Sequence, residues 1–494
     1  MTLPPGFPTP PSRPTADRLP TPAATAAADG TAEAPNAAPA TTPPSIPPVT
    51  GGAVVGRSRP TRRQLLGLLG AGGLVAAGGY RALGAGGSAP IGLPGSIAAP
   101  APRVPAPAAV ATSASAADLA GRLLVVVELR GGNDGLATVV PESGRLRDLR
   151  PTLLTPDTAL ADFVPGTQLH GELAGVRDRG LAVVQGIGTA VPDGSHFEME
   201  TRWWQGDSAG DLGIRTGFLG RLCDELAEPG AITGVTVGQA ASPFLTADKA
   251  TTIGIPDPWA GWFLGEDDAW FQNLRRGLRS LAADGAGDGR LGIARTGLGD
   301  ALAFGELLES LQAEAEAVYA QGEDGQTGRE AKGYPDTDLA FQLQIAAGLL
   351  ASGTGIRVVH VELGGFDTHD GQMYAHDDLM RNLGPSLAAF QDDLAARGLA
   401  EKTLTVTTSE FGRRPEENQS GTDHGTAAPA LLCGPVNTGL FSDAPSIDRL
   451  DDDGNLVATT MLDDYYATIA EGWLGIHADL VLPTGGTVIT ELFA

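Results

Sequence analysis

The chain has 494 residues, 42% of them hydrophobic and 19% charged, with a formal net charge of −26. That apolar fraction suffices for one large core, while so acidic a surface repels nucleic acid and anionic membranes and argues against both as partners. An anionic substrate would need a local positive centre, either a metal ion or an arginine cluster.

Residues 1–60 are dominated by Pro, Ala and Thr, as in PTPPSRPTADRLPTPAATAAADG. They are too poor in large apolar side chains to offset chain entropy and are expected to be disordered. Arg62 and Arg63 then precede an apolar stretch of about 15 residues, Leu65 to Gly79, which is too short and Gly-rich for a stable membrane span. Paired arginines before a mild apolar run are similar to a twin-arginine-type export signal, placed over residues 61–84; the alternative is an N-terminal membrane anchor. Residues 85–120 read as a cleavage region and a Pro/Ala-rich linker. The remainder, 121–494, is then expected outside the cytoplasm, in the periplasm, cell envelope or extracellular space, with no transmembrane span. Eight Arg and three acids stand before residue 116, a net of +5, which leaves −31 on the rest. Only Cys223 and Cys433 are present, enough for one disulfide in an oxidising compartment but not for a metal–thiolate framework.

From residue 121 short β-branched runs alternate with longer helical stretches, the pattern of an α/β domain with a doubly wound, mostly parallel sheet flanked by helices. The clearest strand runs are LLVVVEL (123–129), LAVVQGI (181–187), RVVHVEL (357–363) and TLTVTT (403–408). Helical spacing covers 296–321, 338–351 and 376–397, and Gly384-Pro385 is expected to kink or restart the last of these. The stretch 205–335 holds Trp259, Trp262 and Trp270. It reads as an inserted lid or subdomain whose rings stack on a ligand, or as core anchors. MLDDYYATIAEGWLGI (461–476) predicts an amphipathic closing helix.

The segments after the strands carry the chemistry. The first run leads into RGGNDGLATVVP, with Asn133 and Asp134; the second into GTAVPDGSHFEMETRWWQG, with Ser195 and His196. The third leads into GGFDTHDGQ, with Asp367 and His369, and the fourth into SEFGRRPEENQSGTDHG, with Glu410, Arg413, Arg414, Asp423 and His424. In open parallel sheets ligands bind at the carboxyl ends of the strands, and four strands deliver Asp, Glu, His or Ser to that edge.

Each candidate also has a plain structural role. Asp134 can form a tight turn, and Ser195 with Glu198 fits a capping box as well as a nucleophile at a helix start. His196 can be a ligand, a supporting residue or a surface histidine. Asp367 and His369, two apart after a strand, can face one cation of the zinc, manganese or iron type, or Asp367 can cap the next helix. Arg413 and Arg414 can clamp an oxyanion by bidentate hydrogen bonds, or pair with Glu416 and Glu417. His360, inside a strand, reads as core. DRLDDDGNL (448–456) has the look of a calcium loop without its full spacing and reads better as a solvated turn.

LRGGNDGLATVVP, SHFEMETRWWQG, GFDTHDGQ and SEFGRRPEENQSGTDHG, in that order behind a twin-arginine-like segment, resemble the bacterial family known as domain of unknown function 1501, over about residues 121–480. That family is placed with the alkaline-phosphatase and sulfatase-like superfamily of metal-dependent hydrolases. The resemblance implies an alkaline-phosphatase-like fold and a divalent metal (Zn, Mn, Fe or Ca) held by Asp134, Asp367, His369, Glu410, Asp423 and His424. It further implies a nucleophilic Ser195 helped by His196 and Asn133, and action on a small-molecule or glycan phosphate or sulfate ester. The superfamily's Asp-His-Gly after the fourth strand is replaced by Glu410-Phe411-Gly412. Asp423-His424-Gly425 either restores that Asp-His pair, or His424 supplies the superfamily's last histidine. One metal or two is left open. The alternative function is a catalytically inactive scaffold, binding an envelope protein partner and retaining the fold.

Overall fold

The computed structural model describes residue 119 and residues 121–493, apart from 154–155, 157–158, 211, 229, 257–268, 284–289 and 321–332. By their contacts residues divide into Met1–Leu65 and Leu66–Ala494, and every described residue lies in the second unit. The expected disordered segment, export signal and nearly all of the linker lie outside the described residues, as do Trp259 and Trp262.

The strands in chain order are β1 (Leu123–Arg130), β2 (Val139–Pro141), β3 (Leu160–Val164), β4 (Thr167–His170), β5 (Leu181–Gly188), β6 (Ile232–Val237), β7 (Thr251–Ile255), β8 (Val358–Gly364), β9 (Thr403–Thr408), β10 (Arg413–Glu417), β11 (Thr422–His424), β12 (Ala428–Cys433), β13 (Gly439–Phe441) and β14 (Thr460–Met461). A nine-stranded sheet runs β13-β5-β12-β9-β1-β8-β6-β7, with β14 also on β5. β12 is antiparallel to both neighbours, and the sheet's other pairings are parallel. All four expected strand runs are in it. The β10–β11 hairpin and the β2-β4-β3 sheet stand apart from it.

Helices cover both faces. Those used below are α1 (Gly135–Thr138), α2 (Gly144–Leu149), α3 (His196–Gln205), α4 (Phe218–Leu226), α5 (Ala269–Ala283), α6 (Arg290–Ala320), α7 (Asp338–Ala351), α8 (Gln372–Ala396) and α9 (Leu462–Ala467). Side chains alternate across a strand, and β1 shows the result. Leu123, Val125, Val127 and Leu129 join one buried cluster with α7 and α8, while Leu124 and Val126 join another with α3, α4 and α9. A strand buried on both sides is apolar at nearly every position, which is why LLVVVEL is legible as one; its one charged residue, Glu128, is buried against Trp204 and His360.

α7 spans the expected residues and is capped by the Thr337 hydroxyl, which accepts from Ala340 N at 3.3 Å. α8 starts four residues before the expected 376 and continues through Pro385. Packing holds it there. Leu383, Leu387, Phe390 and Leu394 are fully buried, each contributing about 1.5–3 kcal/mol of burial energy. A Cβ on Gly384 would stand 2.0 Å from the Glu172 carbonyl oxygen, so the bare glycine lets the helix lie against that backbone. The expected closing helix is split into α9 and a π-turn over Thr468–Trp473.

Within 205–335, β6 and β7 are strands of the main sheet, so part of the expected insertion is core architecture. α5 and α6 form a helical pair tied by Arg275–Glu309 and Arg279–Glu306 ion pairs. No helix among the described residues is long and apolar enough to cross a membrane.

Both cysteines are free, so the one disulfide that the sequence allows is not formed. Cys223 packs in the cluster on one face of the sheet and Cys433 in the cluster on the other, so the sheet itself separates them. Burial pushes the Cys433 thiol up to about 12 and Cys223 higher still. In the 448–456 loop, Asp451 accepts from the backbone of Asp453 and Asn455 at 3.0 and 2.7 Å. Its carboxylate closes its own turn, in agreement with the turn reading.

Candidate metal centre

The loops after β1, β8 and β9 are brought together by glycines. Gly131, at φ +116°, packs so closely that a Cβ would meet Asp367 N at 2.4 Å. Gly421, at the tip of the β10–β11 hairpin, would meet the His369 backbone at 2.2 Å. These approaches put Asp367, His369 and His424 in one place. α3 supplies His196 from its first turn.

Asp367 Oδ1 is the common neighbour of three imidazoles. The Nε2 atoms of His369, His424 and His196 lie 3.0, 3.1 and 3.4 Å from it, and those of His369 and His424 are 2.8 Å apart. His196, Asp367 and His424 each bring one donor atom within 4.8 Å of the others. Donors around a zinc ion at about 2.0–2.2 Å stand about 3.3–3.5 Å apart, close to these separations. The Phe411 ring, fully buried, lies beneath His196 and His424 with centroids 4.8 and 4.6 Å away. Asp367 and His369 are about half-exposed, so the cluster opens to solvent on their side.

Partners on the other ring nitrogens fix the tautomers. His424 Nδ1 is 2.7 Å from the Gly194 carbonyl oxygen. A carbonyl only accepts, so this nitrogen carries the proton and Nε2 keeps its lone pair. His196 Nδ1 likewise donates to Glu410 Oε1 at 2.8 Å, an oxygen that also accepts from Gly131 N at 2.8 Å. His369 Nδ1 faces Asp423 Oδ1 at 3.7 Å. A carboxylate or carbonyl behind each imidazole is the arrangement that orients metal-ligating histidines. Two buried atoms are left without a hydrogen-bond partner, His196 Nε2 and Glu410 Oε2. An ion between the Nε2 atoms would satisfy the first, so the residues present fit a divalent cation.

The electrostatics agree with that fit. The hydrogen bond to Glu410 raises the His196 pKa. Burial, and after it the Arg413 charge, lowers that of His369. Burial would raise the Asp367 carboxyl, but the hydrogen bond and charge of Arg413 hold it well below the usual carboxylate range.

The other expected site residues stand behind these donors or beyond them. Glu410 and Asp423 lie behind His196 and His369 rather than among the convergent donors. Asp134 lies outside the cluster, fully buried: its Oδ1 caps α1 by accepting from Leu136 N, and its Oδ2 is 2.6 Å from Arg150 Nη1. Burial favours the neutral carboxyl, but the adjacent Arg150 guanidinium holds its pKa low. A protein cation thus neutralises the carboxylate that the resemblance assigned to a metal. Asn133 Oδ1 accepts from Thr138 at 3.0 Å and lies 3.3 Å from His376 Nε2, so it belongs to the same buried network. Ser195 precedes α3, exposed, and its side chain makes no capping bond. It sits between Gly194 and His196, both part of the centre.

Of the two arginines read as an oxyanion clamp or as partners of Glu416 and Glu417, Arg413 is buried and Arg414 half-buried, and both bond to protein acceptors. Arg413 is fully buried and spends its donors on the carbonyls of Gly131, Gly132, Phe366 and Thr422 and on Asp367. Arg414 donates to the His424 carbonyl and to Asn455 at 3.2 Å each, and Glu417 is taken by Thr152 and Leu153. His360, as expected, is core, its Nε2 2.9 Å from Glu128 Oε2. Sequence reading missed Arg150, Gln372, which donates to Asp134, and His376, whose pKa burial lowers to about 4. Lone polar residues in and after helices give no pattern from which to find them.

Residues 292–442 match the family described as protein of unknown function (DUF1501), and they contain Asp367, His369, Glu410, Arg413, Asp423 and His424. No curated protein matches the chain. Among solved structures, the crystal structure of Ps i-CgsB in complex with k-i-k-neocarrahexaose is similar at a TM-score of 0.34 and 12% identity, covering 74% of this chain and 75% of that one. A lipoteichoic acid synthase from Listeria monocytogenes is similar at 0.34 and 11%, covering 75% and 76%. An alkaline phosphatase from the Antarctic bacterium TAB5 is similar at 0.26 and 11%, covering 65% and 94%.

Proposed function

We propose that this DUF1501-family chain is an exported metal-dependent hydrolase acting on phosphate or sulfate esters, of small molecules or glycans. The observation that carries the reading is the convergence of three imidazole Nε2 atoms on Asp367 Oδ1, with two Nδ1 protons held by Glu410 and the Gly194 carbonyl. His196, Asp367 and His424 hold the ion, and His369 offers a further donor. This nitrogen-rich set suits zinc, with manganese or iron next; calcium prefers oxygen donors.

A bound divalent ion supplies Lewis acidity and neutralises the charge of an oxyanion, which the acidic surface around it otherwise repels. The chain's own residues do the rest. Glu410 and the Gly194 carbonyl keep the imidazoles in the ligating tautomer. Ser195, unencumbered by a cap, presents a hydroxyl beside the centre at the N-terminal end of α3, where backbone N–H groups favour an anion. The ester class comes from the motif resemblance. Export is supported by Arg62-Arg63 and the apolar stretch after them.

The test is metal content per chain together with turnover of phosphate and sulfate ester panels, for the wild type and for Asp367→Ala and His424→Ala. Folded wild-type protein that takes up no metal, or turnover unchanged in both variants, sinks the reading. A second reading, an inactive envelope scaffold, is favoured by the Arg150 guanidinium on Asp134, which leaves a single candidate cation position among the described residues. Stoichiometric metal with no hydrolysis of any ester, alongside a stable partner from envelope fractions, would select it.

A further inference from the structure

We propose that Arg413 is the positioning residue of the centre, holding Asp367 Oδ1 at the point where the histidine Nε2 atoms meet; this rests on the metal-binding reading above. The guanidinium is fully buried. Nε donates to Gly132 O at 2.9 Å and Nη1 to Thr422 O at 2.9 Å. Nη2 donates to Gly131 O, to Phe366 O at 3.0 Å and to Asp367 Oδ1 at 2.7 Å. One planar group therefore ties the loop after β1, the loop after β8 and the β10–β11 hairpin to a single ligand oxygen.

The geometry explains why arginine is needed. The fork's donors reach three chain segments in fixed directions, Gly131 and Gly132 in the first, Phe366 and Asp367 in the second and Thr422 in the third, and a lysine ammonium on its flexible stem reproduces the charge but not those directions. Asp367 is about half-exposed and sits beside a two-residue glycine turn at Gly131 and Gly132. Without the fork its carboxylate is free to rotate into solvent, and the donor set loses its only oxygen. Residues that orient a ligand from behind typically change metal affinity 10–100-fold.

The test is a double-mutant cycle on zinc affinity, measured by chelator competition on the full chain. It uses the wild type, Arg413→Lys, Asp367→Asn and the double variant, with the melting temperature of each metal-free protein recorded. Arg413→Lys is expected to weaken zinc roughly 10–100-fold in the wild type and to have no further effect in the Asp367→Asn background. A purely structural arginine would weaken both backgrounds alike, and that result overturns the proposal. Asp367→Glu provides an arm that leaves Arg413 in place: it keeps the carboxylate but shifts it off the point the fork defines, so it is expected to lose zinc affinity. Wild-type affinity in Asp367→Glu overturns the proposal even where Arg413→Lys does not fold. Wild-type protein that binds no zinc overturns the metal reading itself. Zinc bound equally by wild type and Arg413→Lys overturns the role of Arg413 alone.

Discussion

The Nε2 atoms of His369 and His424 stand 2.8 Å apart, with Asp367 Oδ1 at 3.0 and 3.1 Å from them. Because His424 Nδ1 holds its proton against a carbonyl, His424 Nε2 presents a lone pair to its neighbour. In the metal-free protein His369 must therefore donate into that lone pair, and a cation can replace that proton. Metal uptake should release protons and weaken as acid protonates the imidazoles. One divalent ion per chain is expected at about pH 7.5, falling on titration to about pH 5.5, as elemental analysis after dialysis will report. Free ion at about 100 times its Kd should stabilise the fold by about 2.7 kcal/mol. A melting temperature indifferent to metal would count against the centre.

Glu410→Gln removes the anion behind His196 while keeping an oxygen to accept from Gly131 N. Metal affinity should drop about 10–100-fold, whereas the urea midpoint of the metal-free protein should move little. The expected signature is a split between affinity and stability; a large loss of both would assign Glu410 to the core alone.

Arg150→Met leaves the buried Asp134 carboxylate without its counter-charge, at a cost of about 3–5 kcal/mol. Adding Asp134→Asn should recover much of that loss, since the amide can still cap α1 and no charge is left buried. Denaturant unfolding of both variants measures the difference. A double variant no more stable than Arg150→Met would mean that the pair matters for its shape rather than its charge.

His376 gives a pH dependence with a definite sign. Burial lowers its pKa from 6.5 to about 4 in the fold, with Asp134, His170, Arg150 and Asp377 as its charged or titratable neighbours. Between those values the unfolded chain takes up a proton that the folded chain refuses, so stability falls as pH drops from about 6.5 to about 4, and is unaffected by this group above that range. Relative to His376→Gln, with chelator present, the wild type should lose on the order of 1–3 kcal/mol across that window. Parallel stability curves for the two proteins would refute the assignment.

The sheet was largely legible because its central strands are buried on both faces and so have continuous apolar runs. β12 escaped, since APALLC is short and nothing local marks it as the antiparallel strand between β5 and β9. The gathering of chemistry at the strand ends was legible too. The division of labour within it was not, for reasons of distance. Whether Glu410 touches an ion or stands behind His196 depends on an approach across 214 residues. Asp134 looks like a ligand until Arg150, on the far side of α1 and α2, is folded against it. Arg413 and Arg414 are adjacent in sequence, yet one is buried among carbonyls and the other faces Asn455. Strand alternation alone could not show which of them reaches Asp367.

The central strand has its nearest partners late in the chain. Val125 pairs with Val359 on one side and Thr405 on the other. At ~5–20 residues per second, synthesis of the intervening stretch of about 280 residues takes roughly 15–55 s. An apolar segment waits with both edges unpaired until β8 is made, and with one edge unpaired until β9 follows, the condition that invites intermolecular strand addition. A ribosome stalled anywhere before residue 403 releases a product whose central strand has at most one neighbour.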